Sequence, residues 1–434
     1  MMLRTVYIYE CWSSDRPDLI GSLFADTLRG KESCSFEYDA KWLKTHVGQY
    51  FLDPDLQLFR GRQYVPMGKS LFGIFADSCP DRWGRMLMRR REAILAAREG
   101  RKPRQLSEID YLLGVHDEGR MGALRFSLQE GGSFLSGDSD MAAPPWVALR
   151  NLEAASLAFE QDEDAFSDKW LRLLLAPGSS LGGARPKATV RATDGSLWIA
   201  KFPSRHDEQN TGAWEQTVHE LAKICGLKVP ETKLTHFSDA GATYLVKRFD
   251  RDGRRRIHFS SAMSLLGQTD GNTGSSYLDL ADFITKAGAS PREDLVELWQ
   301  RIVFSMAVSN TDDHLRNHGF LLTEKGWRLS PMYDVNPVPY GEMLSLNVSS
   351  DDPRIDLDLA FEVASFFGLT PEDAEFRAKK ILTTVRNQWR VIAAACGLNR
   401  EDQNKMAPAF ALCDKQECPR IIPLFRDNRQ CHES

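Results

Sequence analysis

The chain has 434 residues, 42% of them hydrophobic and 26% charged, which is a globular make-up with enough length for two or three cores. Disorder, collagen and coiled coil are excluded as the dominant architecture. Lys and Arg number 55 against 60 Asp and Glu, a formal charge of −5, so whole-chain charge gives no reason to expect direct nucleic-acid binding. The opening MMLRTVYIYECWSSD has no signal-like apolar core, and no later stretch approaches the roughly 20 apolar residues of a membrane span, so no membrane association and a cytoplasmic location are expected. Eight scattered cysteines show no disulfide rhythm and no paired metal spacing, and read as reduced thiols.

The first predicted elements are strands. RTVYIYE (Arg4 to Glu10) alternates apolar and polar residues, and SFEYD follows as a second strand-like run. From Asp81 to Arg104 the chain becomes a basic helix with nine basic and three acidic residues, closing in a turn at Gly100 to Pro103. After the strand-like GALRFSL, the stretch Gln129 to Trp146 is rich in Gly, Ser, Asp and Pro and reads as a surface linker. Helical sequence then runs from about Val147 to Leu175.

At Gly178 to Lys187 (GSSLGGARPK) the pattern changes to a glycine loop, whose N–H groups can approach an anion. A hairpin follows: PKATVRA, a turn at Asp194-Gly195, then SLWIAKF, with Lys201 inside an apolar run. An ammonium there needs an anionic partner. Glu215, in the helical AWEQTVHELAKICGL, is the candidate, with Glu220 as its rival. TYLVKRFDR ends a strand at Lys247, Arg248 and Phe249, where backbone groups and an aromatic ring could meet a nucleobase.

Two helix starts are marked by Ser290-Pro291 and Thr370-Pro371, each followed by carboxylates, so the C-terminal part is expected to be helical. Between them lies SNTDDHLRNHGF, in which Asp312 and Asn317 are separated by four residues, the spacing of a kinase catalytic loop. A hairpin through HGFLLT, EKG and WRLSPMYD returns the chain to Asp334, where a carboxylate and an amide oxygen could share Mg²⁺. Asp312 would accept or orient the proton of the attacking hydroxyl. Asp313 and His314 are alternatives in the same loop, with His314 read as a structural hydrogen-bonder. The GKS at Gly68 to Ser70 lacks the glycine a P-loop needs, since Gln63 stands at that position.

With FADSCPDRWGR, GRMGALRF, SSLGGARPKA, WIAKFP, RFDR, NTDDHLRN and SPMYDVNP together, the chain resembles the HipA toxins, serine/threonine kinases of bacterial toxin–antitoxin pairs. The resemblance implies an α+β, two-lobed protein-kinase-like core with an N-terminal β-containing subdomain and a helical C-terminal lobe. It suggests a subdomain at 1–128, a linker at 129–146, an N-lobe-like region at 147–250 and a C-terminal lobe at 251–434. It implies ATP and Mg²⁺ as cofactors, Gly182, Gly183, Lys187, Lys201, Lys247 and Phe249 as nucleotide-binding residues, Asp312 as the catalytic aspartate, and Asn317 with Asp334 as metal ligands. It implies autophosphorylation at Ser180, with Ser179 the adjacent ambiguity. A protein substrate, an aminoacyl-tRNA synthetase in the family's characteristic case, and a small helix-turn-helix antitoxin that reaches DNA are the implied partners. No His-Arg precedes Asp312, and Val335-Asn336 stand where Phe-Gly follows the metal aspartate of ordinary protein kinases. Direct DNA contact would have to come from Arg82 to Arg104 or Arg251 to Arg256. Two other readings stand beside this one: a small-molecule kinase of the aminoglycoside phosphotransferase type, and a non-catalytic component of an antitoxin–DNA repressor complex.

Overall fold

The computed structural model describes residues 2–14, 16–28, 31–46, 51–137, 142–161, 174, 185–271 and 274–414. The glycine-rich loop, with Ser179, Ser180, Gly182 and Gly183, lies outside the described residues, as do Cys418 and Cys431.

The N-terminal unit is a five-stranded antiparallel sheet in the order β4-β3-β2-β1-β5, built from β1 (Met2–Glu10), β2 (Asp18–Leu28), β3 (Lys31–Tyr38), β4 (Gln63–Tyr64) and β5 (Leu124–Ser127). Val6, Ile8, Leu23, Phe36 and Phe126 fill its buried face, the alternation expected of a sheet packed on one side. Helices α1 (Ala40–His46), α2 (Gly73–Ala76), α3 (Arg82–Arg98) and α4 (Glu108–Gly114) complete the unit. In the basic helix α3, Arg85 is forked onto Glu108 at 2.7 Å, and the helix's own Glu92 holds Arg101 of the following turn. The GKS lysine, Lys69, is likewise paired, with Asp55.

The stretch read as a linker is tied down in its first half. Leu135 N–H donates to the Phe126 carbonyl (2.8 Å), Ser136 N–H to Val115 (3.0 Å), and Gly131 N–H to the Tyr9 hydroxyl (2.7 Å). Its apolar Phe134 lies under the Arg125 guanidinium, so composition alone hid a segment that folds back on the sheet.

The next sheet is four-stranded and antiparallel, in the order β6-β7-β9-β8, from β6 (Lys187–Arg191), β7 (Leu197–Lys201), β8 (Thr232–Ser238) and β9 (Gly241–Lys247). Gly195, with φ +85°, closes the β6–β7 turn that Asp194-Gly195 predicts. On its outer face α5 (Leu149–Gln161) and α3 bury Trp83, Leu87, Leu152 and Phe159 against Ala188, Val190 and Ala200. Helix α6 (Thr211–Cys225), capped by Asn210 and ended by the left-handed Gly226, packs against β9 and the C-terminal helices.

The C-terminal part is mainly helical, as expected. After the short β10 (Arg251–Asp252) and β11 (Arg255–Arg256) come β12 (Phe259–Ser261), α7 (Ala262–Leu265), α8 (Tyr277–Ala287) and α9 (Pro291–Ala307). A three-stranded sheet pairs β12 with β13 (Gly319–Thr323) and β13 with β14 (Gly326–Leu329), and α10 (Leu357–Glu362), α11 (Pro371–Ala395) and α12 (Arg400–Met406) follow. The Thr370 hydroxyl caps α11 by accepting from Asp373 N–H, but Ser290 makes no side-chain cap to α9. Ser290 sits at φ −144°, ψ 69°, and the first turn of α9 uses Asp294 to hold Arg328 and Leu329 N–H instead.

The N-terminal unit docks on both lobes. Asp77 accepts from the Ser260 hydroxyl and from both N–H and hydroxyl of Ser261, all at 2.8 Å. Trp12 stacks on His258 with centroids 4.6 Å apart. Gly122, at φ +74°, approaches Phe259 so closely that a Cβ would lie 3.1 Å from its nitrogen.

Candidate active site

The site forms between the inner face of the four-stranded sheet and the loops at the end of α9. In β7 and β9, Ile199 pairs with Val246 and Lys201 with Tyr244, and these four side chains face the cleft. Lys201 Nζ lies 2.5 Å from Glu215 Oε1 and 2.7 Å from Asp334 Oδ1. Glu215, from α6, is therefore the partner, and Glu220 instead accepts from Gln216 Nε2 at 3.0 Å. Burial works against the Lys201 ammonium, but Asp334 and Glu215 outweigh it and hold its pKa above the usual lysine value. Asp334 is correspondingly held below the ordinary carboxylate range: burial opposes its charge, and Lys201 and then Lys187 overcome that. Its backbone is left-handed, φ +58°, an unusual conformation for a non-glycine residue that turns the carboxylate toward the lysine.

Asp312 stands exposed at the loop after α9. Asn317, 6% exposed, donates from Nδ2 to the Asp312 carbonyl at 2.8 Å, which explains the four-residue separation: the amide closes the loop it belongs to. Lost hydration pushes the Asp312 carboxyl up; His314 counteracts this, while Asp334 and Asp313 add to it. Asp313 points inward, bonded to the Tyr277 hydroxyl (2.5 Å) and the Ser305 hydroxyl (3.2 Å) and 2.9 Å from His318 Nε2, so it props the loop from behind. The loop is further pinned by Asn310 Oδ1, which accepts from Asn336 N–H, and by Tyr333, whose hydroxyl donates to the Arg316 carbonyl.

Phe249 is half-buried against Tyr333 and Phe259, with ring centroids 5.7 and 6.1 Å away, and borders a cleft of about 480 Å³ together with Met121, Ile199, Tyr244 and Asp334. Lys247 lines the same cleft, its ammonium 3.2 Å from Glu231 at the rim. Lys187, in register with Lys201 on the neighbouring strand, has its Nζ 3.0 Å from Asp81 of the N-terminal unit. The site thus brings together Lys201, Glu215, Asp334, Lys247 and Phe249, with Asp312 and Asn317 on the adjoining loop.

Sequence reading missed Met121 as a lining residue and did not foresee the clasp that RFDR makes, having given Phe249 a nucleobase contact and Arg251 a place in a DNA-contact run. Arg248, with no exposed side chain, donates to the Gly119 carbonyl (2.7 Å), the Arg120 carbonyl (2.9 Å) and Asp250. Asp250 accepts from Gly122 N–H at 2.7 Å, and Arg251 adds bonds to the carbonyls of Arg120 and Gly122. Arg256 is held by Asp117. Half of the basic run considered for DNA contact is therefore internal: Arg251 and Arg256 clasp the N-terminal unit, and Arg254 and Arg255 are exposed.

Residues 179–389 match the HipA-like C-terminal domain family. Over 226 residues it is 24% identical to the serine/threonine-protein kinase toxin HipA of Shewanella oneidensis, covering 44% of this chain and 51% of that protein. Over 182 residues it is 28% identical to a Sinorhizobium fredii protein called "Putative kinase Y4mE", covering 36% and 41% respectively. The chain thus spans about half the length of the curated relatives it matches. The solved HipA of S. oneidensis, from its complex with HipB and operator DNA, superposes with a TM-score of 0.65 at 17% identity over 94% of this chain and 96% of that one. The HipA-like, mixed helix-and-sheet fold therefore extends through the N-terminal unit. Among the described residues no helix is long and apolar enough to cross a membrane.

Proposed function

We propose that this protein is an ATP- and Mg²⁺-dependent kinase that phosphorylates serine or threonine hydroxyls of a protein substrate and its own glycine-rich loop. The observation that carries the reading is the junction of Lys201, Glu215 and Asp334, three charges from three separate segments, with Glu215 buried and the other two partly so, next to the exposed Asp312. A lysine held by two carboxylates is costly as a purely structural device. It suits a site where nucleotide phosphates would replace Asp334 on the lysine and a cation would be taken up by Asp334, while Glu215 keeps its hold on Lys201.

The donor set fits magnesium. Asp334 offers a carboxylate and Asn317 an amide whose nitrogen is already committed to Asp312, leaving its oxygen as the ligand atom. The upward push on Asp312 from Asp334 marks an excess of negative potential that a cation would relieve. When bound, Mg²⁺ would supply charge neutralisation for the transferring phosphoryl group. The chain's own residues do the rest. Lys201 holds phosphate oxygens, Glu215 holds Lys201, and Tyr244, Ile199, Phe249 and Met121 exclude water around the base. Asp312, with a raised proton affinity, accepts or orients the proton of the incoming hydroxyl.

In this reading the N-terminal division at 1–128 and 129–146 is a subdomain with its connection, and 147–250 and 251–434 are the two lobes. Lys247, Gly182, Gly183 and Lys187 belong to the nucleotide side, and Ser180 or Ser179 takes the autophosphate. A loop bearing about two negative charges would no longer approach ATP, which gives an off-switch. The S. oneidensis HipA assembles with HipB and operator DNA, and a small antitoxin is the proposed partner here, with DNA reached through it. An aminoacyl-tRNA synthetase is the proposed substrate class. The test is transfer of labelled phosphate from ATP to protein by wild type and by Asp312→Asn. Transfer by the wild type only supports the reading, and equal transfer by both removes Asp312 from it.

A further inference from the structure

Lys187 and Lys201 are directly paired across β6 and β7, so two ammonium-bearing side chains start from facing positions on the cleft side of one sheet. Like charges so placed repel, and each buried ammonium needs its own counter-charge. Lys201 finds Glu215 and Asp334 within its own lobes. Lys187, with a side chain 3% exposed, takes its carboxylate from outside them: Asp81 Oδ2 lies 3.0 Å from Nζ, and the Asp81 side chain is 4% exposed. Asp81 is the N-cap of α3, accepting from Gly84 N–H at 2.8 Å. Trp83 and Leu87 in the following turns pack with Ala188 and Val190 on the outer face of the sheet, which brings the helix start to the β6 edge. Burial pushes the Asp81 carboxyl up, and Lys187 is the foremost influence holding it down. Lys187 also acts on Asp334, second only to Lys201.

We propose that Asp81 is a positioning residue for the phosphate end of the cleft: through it the N-terminal unit holds Lys187 beside Lys201 and gives the site a second ammonium for nucleotide phosphates. The N-terminal unit is then an electrostatic part of the nucleotide site, beyond its mechanical clasp at Arg248. The inference rests on the nucleotide reading above, and the two separate experimentally.

The experiment measures binding of MgATP and of adenosine, which lacks phosphates, to the full-length protein by calorimetry. Wild type is compared with Asp81→Asn, Lys187→Met, the double variant and Asp81→Glu. Asparagine keeps an oxygen for the α3 cap, so the substitution removes charge and leaves the helix start. Asp81→Asn and Lys187→Met should each weaken MgATP by about tenfold, the scale of one charge-assisted contact, with adenosine within about twofold of wild type. The double variant should lose no more than either single one, since both act on one contact. Asp81→Glu should recover most of the MgATP affinity. If Asp81→Asn does not fold, the double variant, which strands no buried charge, carries the same expected loss. Unchanged MgATP binding, equal loss of both ligands, or additive losses would overturn the inference while leaving the nucleotide reading in place. A wild type that binds neither ligand would overturn both.

Discussion

Replacing Asp250 with alanine tests the clasp between the N-terminal unit and the strand end at Phe249. The carboxylate is fully buried and receives Arg248 Nε at 2.9 Å, Arg248 Nη2 and Arg251 Nη1 at 2.6 Å each, and Gly122 N–H at 2.7 Å. Alanine leaves a guanidinium with no exposed side chain and a second one 9% exposed without their shared counter-charge. Breaking a buried pair in this way costs about 3–5 kcal/mol, a large part of the roughly 5–15 kcal/mol that separates folded from unfolded domains. The same group gives a pH signature. Arg248 and Arg251 outweigh burial and draw its pKa from 3.8 down to about 2, so its contribution is complete above pH 3.8 and is lost as pH falls toward 2. That depression corresponds to about 2 kcal/mol. Urea unfolding followed by tryptophan fluorescence at neutral pH and at about pH 3 measures both effects. Wild type should weaken on acidification more than Asp250→Ala does. A variant that loses less than about 1 kcal/mol at neutral pH would refute the reasoning, because the two arginines would then be solvated or paired elsewhere.

Four further outcomes are expected. Asp312→Asn, at an exposed position, should leave unfolding within about 0.5 kcal/mol of wild type while removing phosphoryl transfer, read by paired denaturation and turnover assays. Because the Asp312 carboxyl is pushed above 3.8, wild-type turnover should fall as pH drops through a value above 3.8, visible in initial rates between about pH 4 and 8. Glu215→Gln should lower turnover by roughly 10² with little change in adenosine binding, since it leaves Lys201 held by Asp334 alone. Asp313→Ala should destabilise the fold by about 3 kcal/mol in thermal or urea unfolding, because it strands the Tyr277 and Ser305 hydroxyls and His318.

What could be read along the chain was what neighbours in sequence decide. Asp194-Gly195 between two alternating runs predicts the β6–β7 hairpin, and the WIAK run makes a buried, partnered Lys201 a physical necessity before any fold is known. The five-residue step from Asp312 to Asn317 was legible because the amide closes a loop of that size. The choice of Glu215 over Glu220 was not, since both lie on α6 and only the packing of that helix against β9 decides which one faces the cleft. The task of RFDR was hidden for the same reason: Arg248, Asp250 and Arg251 act on carbonyls and an N–H more than 100 residues earlier. Lys187 was assigned to nucleotide by its place after the glycine loop, and its partner Asp81 could not be foreseen because it arrives on a helix of another unit. Gly, Ser and Pro in Gln129 to Trp146 suggested a free surface run, yet Phe126 and Val115 supply the backbone partners that hold it.

The central claim is that the cleft transfers phosphate from ATP. Intact-mass spectrometry with peptide mapping, on dephosphorylated wild type and Asp312→Asn incubated with MgATP, tests it most directly. The account predicts one added phosphate on Ser180 or Ser179 in the wild type and none in the variant. No added phosphate in a wild type shown to bind ATP, or the same gain in both proteins, would contradict it.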